Sequence, residues 1–261
     1  MTQSNKILLL LAVLGLSVMT ISAQETGVVI NGVTWATRNV DMPGTFADNP
    51  EDAGMFYQWN RNVGWSSTDP MVNSDGDATW DNSTPSGITW ESENDPCPAG
   101  WRVPTHAELQ VLFASDVTNT ETTENGVNGR RFTDIANSTS IFLPAAGIRD
   151  YNHSGALDKN GINGYYWSSS VNGTGSAVFN LYFGGITVTP DNSQNRTNAL
   201  CVRCVKESGV GIKEVSNDTE TATPIGYYDI SGNKLKEEPK QGFYIIRYDN
   251  GKTKKVMKSQ E

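Results

Sequence analysis

The chain has 261 residues, with 20 Lys plus Arg against 29 Asp plus Glu, a formal charge of −9 and 37% hydrophobic residues. That length supports one large domain or two modest ones with a real core. Seven tryptophans and the lack of any G-x-y or heptad period exclude collagen, coiled coil and full disorder. The acidic balance argues against a nucleic-acid partner.

Lys6 precedes an uncharged run from Ile7 to Ile21, which ends at the small residues Ser22 and Ala23. A basic start, a short apolar stretch and a small-residue exit predict a secretory signal over residues 1–23. The run is shorter than the roughly 20 residues of a spanning helix, and no Cys follows it to suggest a lipoprotein anchor. No second apolar stretch occurs downstream. The expectation is an exported chain at the cell surface, at the outer membrane or outside the cell, without a transmembrane segment.

The body begins with an Asn31-Gly32 turn between the β-rich runs Val28–Ile30 and Val33–Trp35, a hairpin signal. Residues 55–59 are apolar and read as a strand or a short helix. Residues 62–96 are rich in Asn, Asp, Ser, Gly and Pro and read as a long loop. Thr105 and Glu108 form a T-x-x-E capping box after Pro104, and Leu109, Leu112 and Phe113 follow at helical spacing. His106 is expected on the exposed side of that helix. Residues 115–130 are polar, with turns expected at Asn125-Gly126 and Asn128-Gly129. Short strand-like runs then occupy 141–143, 165–167, 177–183, 186–188 and 200–205, separated by polar loops. This pattern predicts an α+β fold with few helices, short strands and long loops, and not a doubly wound one.

Charge marks a boundary. Residues 24–211 hold 21 acidic and 10 basic groups, whereas 212–261 hold 8 acidic and 9 basic ones. A linker is expected at 209–223, between a body at 24–208 and a small β tail at 224–261.

Two groups of residues suggest binding. Asn73, Asp75, Asp77 and Asp81 place oxygen ligands at alternate positions, as a calcium loop does; no Glu closes the loop, and calcium stands as a possible cofactor. The segment Arg149, Asp150, Tyr151, His153 and Asp158, with Tyr165, combines rings, carboxylates and amides suited to sugar. A second polar loop, Asp191, Asn195 and Arg196, is expected to flank the same face. Ser168, His153 and Asp150 or Asp158 allow a hydrolase triad to be drawn, but without a nucleophile-elbow context. No phosphate loop, dinucleotide fingerprint or H-E-x-x-H motif is present. Cys97, Cys201 and Cys204 favour pairing in an exported chain. Alternation would put Cys201 and Cys204 on opposite strand faces, so Cys97 reaches one of them.

Four blocks in order carry a resemblance: Gly54–Arg61 (GMFYQWNR), Cys97–Leu109 (CPAGWRVPTHAEL), Phe142–Gly147 (FLPAAG) with Gly164–Ser170 (GYYWSSS), and Val202–Val205 (VRCV). Together they resemble the Fibrobacter succinogenes major paralogous domain, over about residues 28–207. The resemblance implies a C-type-lectin-like fold in the variant used by formylglycine-generating enzymes. It also implies a Cys97–Cys204 disulfide, since the last block holds the family's recurring Cys, and leaves Cys201 as a buried thiol. Formylglycine generators bind copper through a late cysteine pair, and here C-x-x-C has the wrong spacing for it. The Glu-Pro-Asn and Trp-Asn-Asp motifs of calcium-dependent lectins do not occur.

The tail blocks Tyr228–Lys234, Gly242–Arg247 and Lys254–Lys258 resemble the end of a Por-type (type IX) secretion sorting domain, without its first strand block. Three strands are expected there, with turns at Ser231-Gly232 and Asn250-Gly251. The expectation is therefore a non-enzymatic exported binding module for a glycan or an extracellular protein, with the secretion machinery as a further partner. A structural or fimbria-associated subunit and an enzyme related to formylglycine generators are the alternatives.

Overall fold

The structure, a computed structural model, describes residues 25–173, 175, 177–207, 223–229, 233–239, 242–249 and 253–258. The expected signal segment and all but the last residue of the expected linker lie outside these residues.

In the body, β1 (Val28–Ile30), β2 (Val33–Trp35), β3 (Phe56–Gln58) and β4 (Gly64–Trp65) precede β5 (Trp101–Arg102) and α1 (His106–Val111). Then come β6 (Val117–Glu124), β7 (Val127–Asp134), β8 (Ser140–Pro144), β9 (Ile148–Asp150) and β10 (Ala156–Asp158). The long strands β11 (Gly164–Asn172), β12 (Ala177–Gly184) and β13 (Thr187–Asn195) are followed by the short β14 (Ala199–Leu200) and β15 (Val205–Lys206). The fold is thus mostly β-sheet with long loops, and α1 is the only α-helix among the described residues. Helix contributes less than an α+β reading allots it.

Local chemistry explains the elements. Asn31 and Gly32 both have positive φ, 43° and 81°, as a type I′ turn requires. Asn125 and Gly126 do the same at the tip of the β6–β7 hairpin. The expected turn at Asn128-Gly129 does not form, because Gly129 sits inside β7. A Cβ there would come within 2.4 Å of the Phe142 ring, so the bare backbone is what lets β8 close on β7. Residues 115–130, read as polar turns, are mostly this hairpin, with Thr and Glu on its solvent side. The capping box forms as read: Thr105 accepts from the Glu108 N–H, and Glu108 accepts from the Thr105 N–H at 2.8 Å. Arg102 then grips the same Glu108 carboxylate through two nitrogens at 2.6 and 2.8 Å.

Two sheets organise the body. In one, the order β1-β2-β15-β5 joins the first hairpin to the last strand, with Val205 opposite both Trp35 and Arg102. In the other, the order is β10-β9-β14-β3-β4. Three-stranded sheets β6-β7-β8 and β11-β12-β13 complete the body. Two apolar clusters fill it, one around Trp35, Phe56, Leu109 and Phe132, the other around Tyr57, Trp59, Trp101 and Trp167. The bridge Cys97–Cys204 is present, with Cα atoms 6.1 Å apart, and it ties the segment before β5 to the residue before β15.

The tail forms its own sheet, β17-β16-β18-β19, from β16 (Pro224–Tyr228), β17 (Lys234–Leu235), β18 (Gly242–Tyr248) and β19 (Thr253–Lys258). That is one strand more than expected. The block at 228–234 begins at the last residue of β16 and ends at the first of β17. Tyr244, Ile246 and Tyr248 are buried, and Tyr227, Leu235 and Val256 pack against them. The expected turns at Ser231-Gly232 and Asn250-Gly251 lie outside the described residues.

Candidate functional site

The expected loop at 62–96 contains the short β4, which pairs with β3, and the stretch after it, 66–96, has much backbone and little regular structure to satisfy it. Guanidinium groups do much of this work, because arginine offers five donors and no acceptor. Arg149, expected to contact ligand, is fully buried at the end of this loop. It donates to the Ser66 and Thr68 carbonyls, both at 2.7 Å, to the Gly155 carbonyl at 2.9 Å, and to Asp69 and the Ser66 hydroxyl. Arg196, also expected at the ligand, is 5% exposed. It donates to the Pro85 and Gly87 carbonyls and lies over the Trp59 ring at 4.4 Å. Both arginines are therefore anchors of the loop and not parts of a binding surface.

The remaining residues of the expected face are split. Asp150 caps the 3-10 turn Tyr151–His153 and meets the exposed His153 ring at 2.7 Å. Tyr151 is half-buried against the core. Asp158 is exposed and pairs with Lys159. Tyr165 is half-buried, tilted against Tyr182, and burial raises its pKa. Residues 191–195 lie in strand β13, not in a loop. Asp191 meets His106 at 2.7 Å and Gln110 of α1, while Asn195 accepts from the Thr197 N–H. His106 is not on a free surface: its ring stacks on Phe179 at 3.8 Å. The two segments touch through Asn198, which accepts from the Tyr151 N–H and donates to Gln194. Tyr166 and Trp167 are core residues whose polar tips donate to the Pro144 and Tyr57 carbonyls.

No triad assembles. Ser168 is buried and its hydroxyl donates to the Phe179 carbonyl at 2.7 Å, whereas His153 pairs with Asp150 on the surface.

The sequence-marked acidic positions do come together. Asn73, Asp75, Asp77 and Asp81 line one open cleft of about 290 Å³, with Arg61 and Trp65. The loop folds on its own Asx chemistry. Asn73 accepts from the N–H groups of Asp75 and Asp77, Asp77 from that of Thr79, and Asp81 from that of Ser83. The Thr79 N–H lowers the pKa of Asp77. Arg61 forms an ion pair with Asp81, and its second terminal nitrogen donates to Ser83. The Asp75 carboxylate accepts no hydrogen bond among the described residues. No group of three or more His, Cys, Asp or Glu among the described residues is placed to hold a metal. The turn chemistry accounts for this, because it draws Asn73, Asp77 and Asp81 toward backbone N–H groups.

Set against family models, curated proteins and solved structures, the chain matches none of them. Arg61 was legible only as part of the Gly54–Arg61 block, and nothing in the sequence paired it with Asp81 across the loop.

Cys201 is free, fully buried and bonded weakly to the Ala53 carbonyl. A regular strand does not carry it and Cys204 on opposite faces: β14 ends at Leu200 and β15 starts at Val205, with irregular chain between. Burial pushes the thiol up from 9.0 to about 12. A thiolate is the reactive form, so the folded protein is expected to resist alkylation by iodoacetamide at pH 8 while the unfolded chain reacts at one site. The raised pKa also sets a pH dependence. Its contribution is full below the unfolded value and fades as pH rises from about 9 toward about 12. Denaturant melts across that range should decline less steeply for Cys201→Ala than for the parent, and equal slopes would refute the assignment.

Proposed function

We propose that the chain is an exported, non-catalytic binding module of C-type-lectin-like build, held at the cell surface or released, whose ligand is a glycan bound in the Arg61–Asp81 cleft. The observation that carries this reading is the lining of that cleft. Within one open cavity stand the Arg61 guanidinium, the Gln58 and Asn73 amides and three carboxylates on short side chains, and Asn73 and the carboxylates are on a loop that buried Arg149 holds at residues 66–69. Sugar hydroxyls need donors and acceptors at close spacing, and short planar groups supply both with little entropy to lose. The clamp keeps those groups in place before the ligand arrives. The type IX tail resemblance fits the same reading, with the secretion machinery as the tail's partner.

The test is a glycan array probed with the full chain, with and without chelator. Saturable binding that survives chelator is expected. Asp75→Ala should weaken it about tenfold or more, because a charged hydrogen-bond acceptor is lost, with the melting temperature unchanged. A blank array from folded protein, or binding indifferent to Asp75→Ala, would overturn the reading.

A further inference from the structure

The described body buries four arginines, and three of them are spent on backbone. Arg149 and Arg196 hold the long loop, and Arg203 donates to the Ala36 and Thr37 carbonyls and to Asn39. Arg130 is different. It is 9% exposed, yet among the described residues its guanidinium makes one hydrogen bond, to Asn119 at 2.7 Å. Its Nε is buried without a partner, as are Arg196 Nε and Arg203 Nη2, but unlike those two it donates to no backbone carbonyl among the described residues and it lines a cavity. Glu121 stands directly opposite it in the β6–β7 register, a position from which opposite charges usually meet. Here Glu121 is exposed and acts on Arg130 only at longer range.

A buried cation held off from its counter-charge is costly. This one borders space. A cavity of about 250 Å³, sharing no lining residue with the cleft at 61–81, is lined by Arg130, Glu121, Phe183, Ile162, Gly161 and Gly185 among others. The guanidinium carbon lies 5.9 Å from the centre of the Phe183 ring, which itself packs on the bare backbone of Gly164. Gly161 and Gly185 have open space where a Cβ would project. Ile162 is 66% exposed, and Ile186, beside Gly185, is fully exposed. The volume is below the roughly 300–1,000 Å³ of pockets for drug-sized ligands, so one small group fills it.

We propose that this cavity binds a carboxylate carried on a small branched apolar group, Arg130 taking the carboxylate while Phe183 and Ile162 cover the apolar part. A guanidinium fork matches a carboxylate's two oxygens, and the apolar walls strengthen that bond by excluding water. Glu121 opposes the ligand's charge, so it limits affinity.

The probe is N-acetyl-leucine, titrated into the full chain and followed by calorimetry and by amide NMR. Saturable binding is expected, with shifts centred on residues 130, 161–162 and 183–185. N-acetyl-leucinamide, the same shape without the charge, should bind about tenfold or more weakly. Glu121→Gln should tighten the acid and leave the amide unchanged, and Arg130→Lys should weaken the acid. 4-Methylpentanoate separates the sources: affinity equal to that of N-acetyl-leucine assigns the site to free acids, and weaker affinity assigns it to peptide C-termini. No binding by folded protein, or equal binding of acid and amide, would overturn the proposal. The amide comparison needs no variant, so it stands even if Arg130→Lys fails to fold.

Discussion

Replacing Cys97 and Cys204 together by alanine is expected to lower the melting temperature by roughly 10–15 °C. The bridge joins residues 107 apart. In the chain-entropy account, a loop of that length confers about 4–5 kcal/mol by restricting the unfolded chain. For a body of this size each kcal/mol corresponds to about 2–4 °C. The position adds to the effect. Cys97 precedes β5, Cys204 precedes β15, and those strands pair through Val205 and Arg102, so the bond secures the sheet that unites the two ends of the body. Calorimetric scans of parent, double variant and Cys201→Ala are the check. A double variant that melts with the parent would show that the sheet closes without the bond.

Arg149→Met is the second large effect. It should cost about 3–5 kcal/mol, because the Gly155 carbonyl loses its donor in a buried setting and the Ser66 and Thr68 carbonyls lose theirs in a part-buried one. Asp69 adds little to that figure, since its side chain is 69% exposed and water can solvate it. The loss should be local first. Hydrogen exchange is expected to speed up at the amides of Ser66, Asn73 and Ser74, which are protected by loop hydrogen bonds, before the β6–β7 hairpin responds. The glycan binding proposed for the cleft should fall with it, through loss of loop order. A variant with parental stability and exchange would return Arg149 to the role of a contact residue.

That reversal shows where sequence reading stops. Arg149, Asp150, Tyr151 and His153 are polar or amphipathic and sit in a turn-rich segment, which looks like surface. Whether an arginine there meets water or a carbonyl depends on what packs over it, and the covering segment is some eighty positions away, at 66–69. The same holds for Arg196 and residues 85–87. Trp167 lies in the strand run 165–167. The donation of its ring nitrogen to the Tyr57 carbonyl, with no exposed surface, makes it core. The acidic run at 73–81 was legible as one group because its members are close in sequence, and they do share a cleft. Arg130 carried no signal at all. It makes no ion pair with Glu121, its register partner across a hairpin, and its cavity is assembled from five separate segments.

What the sequence by itself determined is what short-range chemistry controls. The Asn31-Gly32 and Asn125-Gly126 turns follow from backbone that tolerates positive φ. The start of α1 follows from reciprocal bonds between Thr105 and Glu108, three residues apart. Tertiary structure decided the rest: that Asn128-Gly129 is strand, that residues 191–195 are strand, and that two arginines are buried as loop anchors while a third is left unpaired at a cavity. The physical reason is the reach of the interactions. A turn or a cap is satisfied by atoms within a few residues, so local composition specifies it. A buried guanidinium is satisfied by whichever carbonyls the fold brings to it, and only the packed chain says which those are.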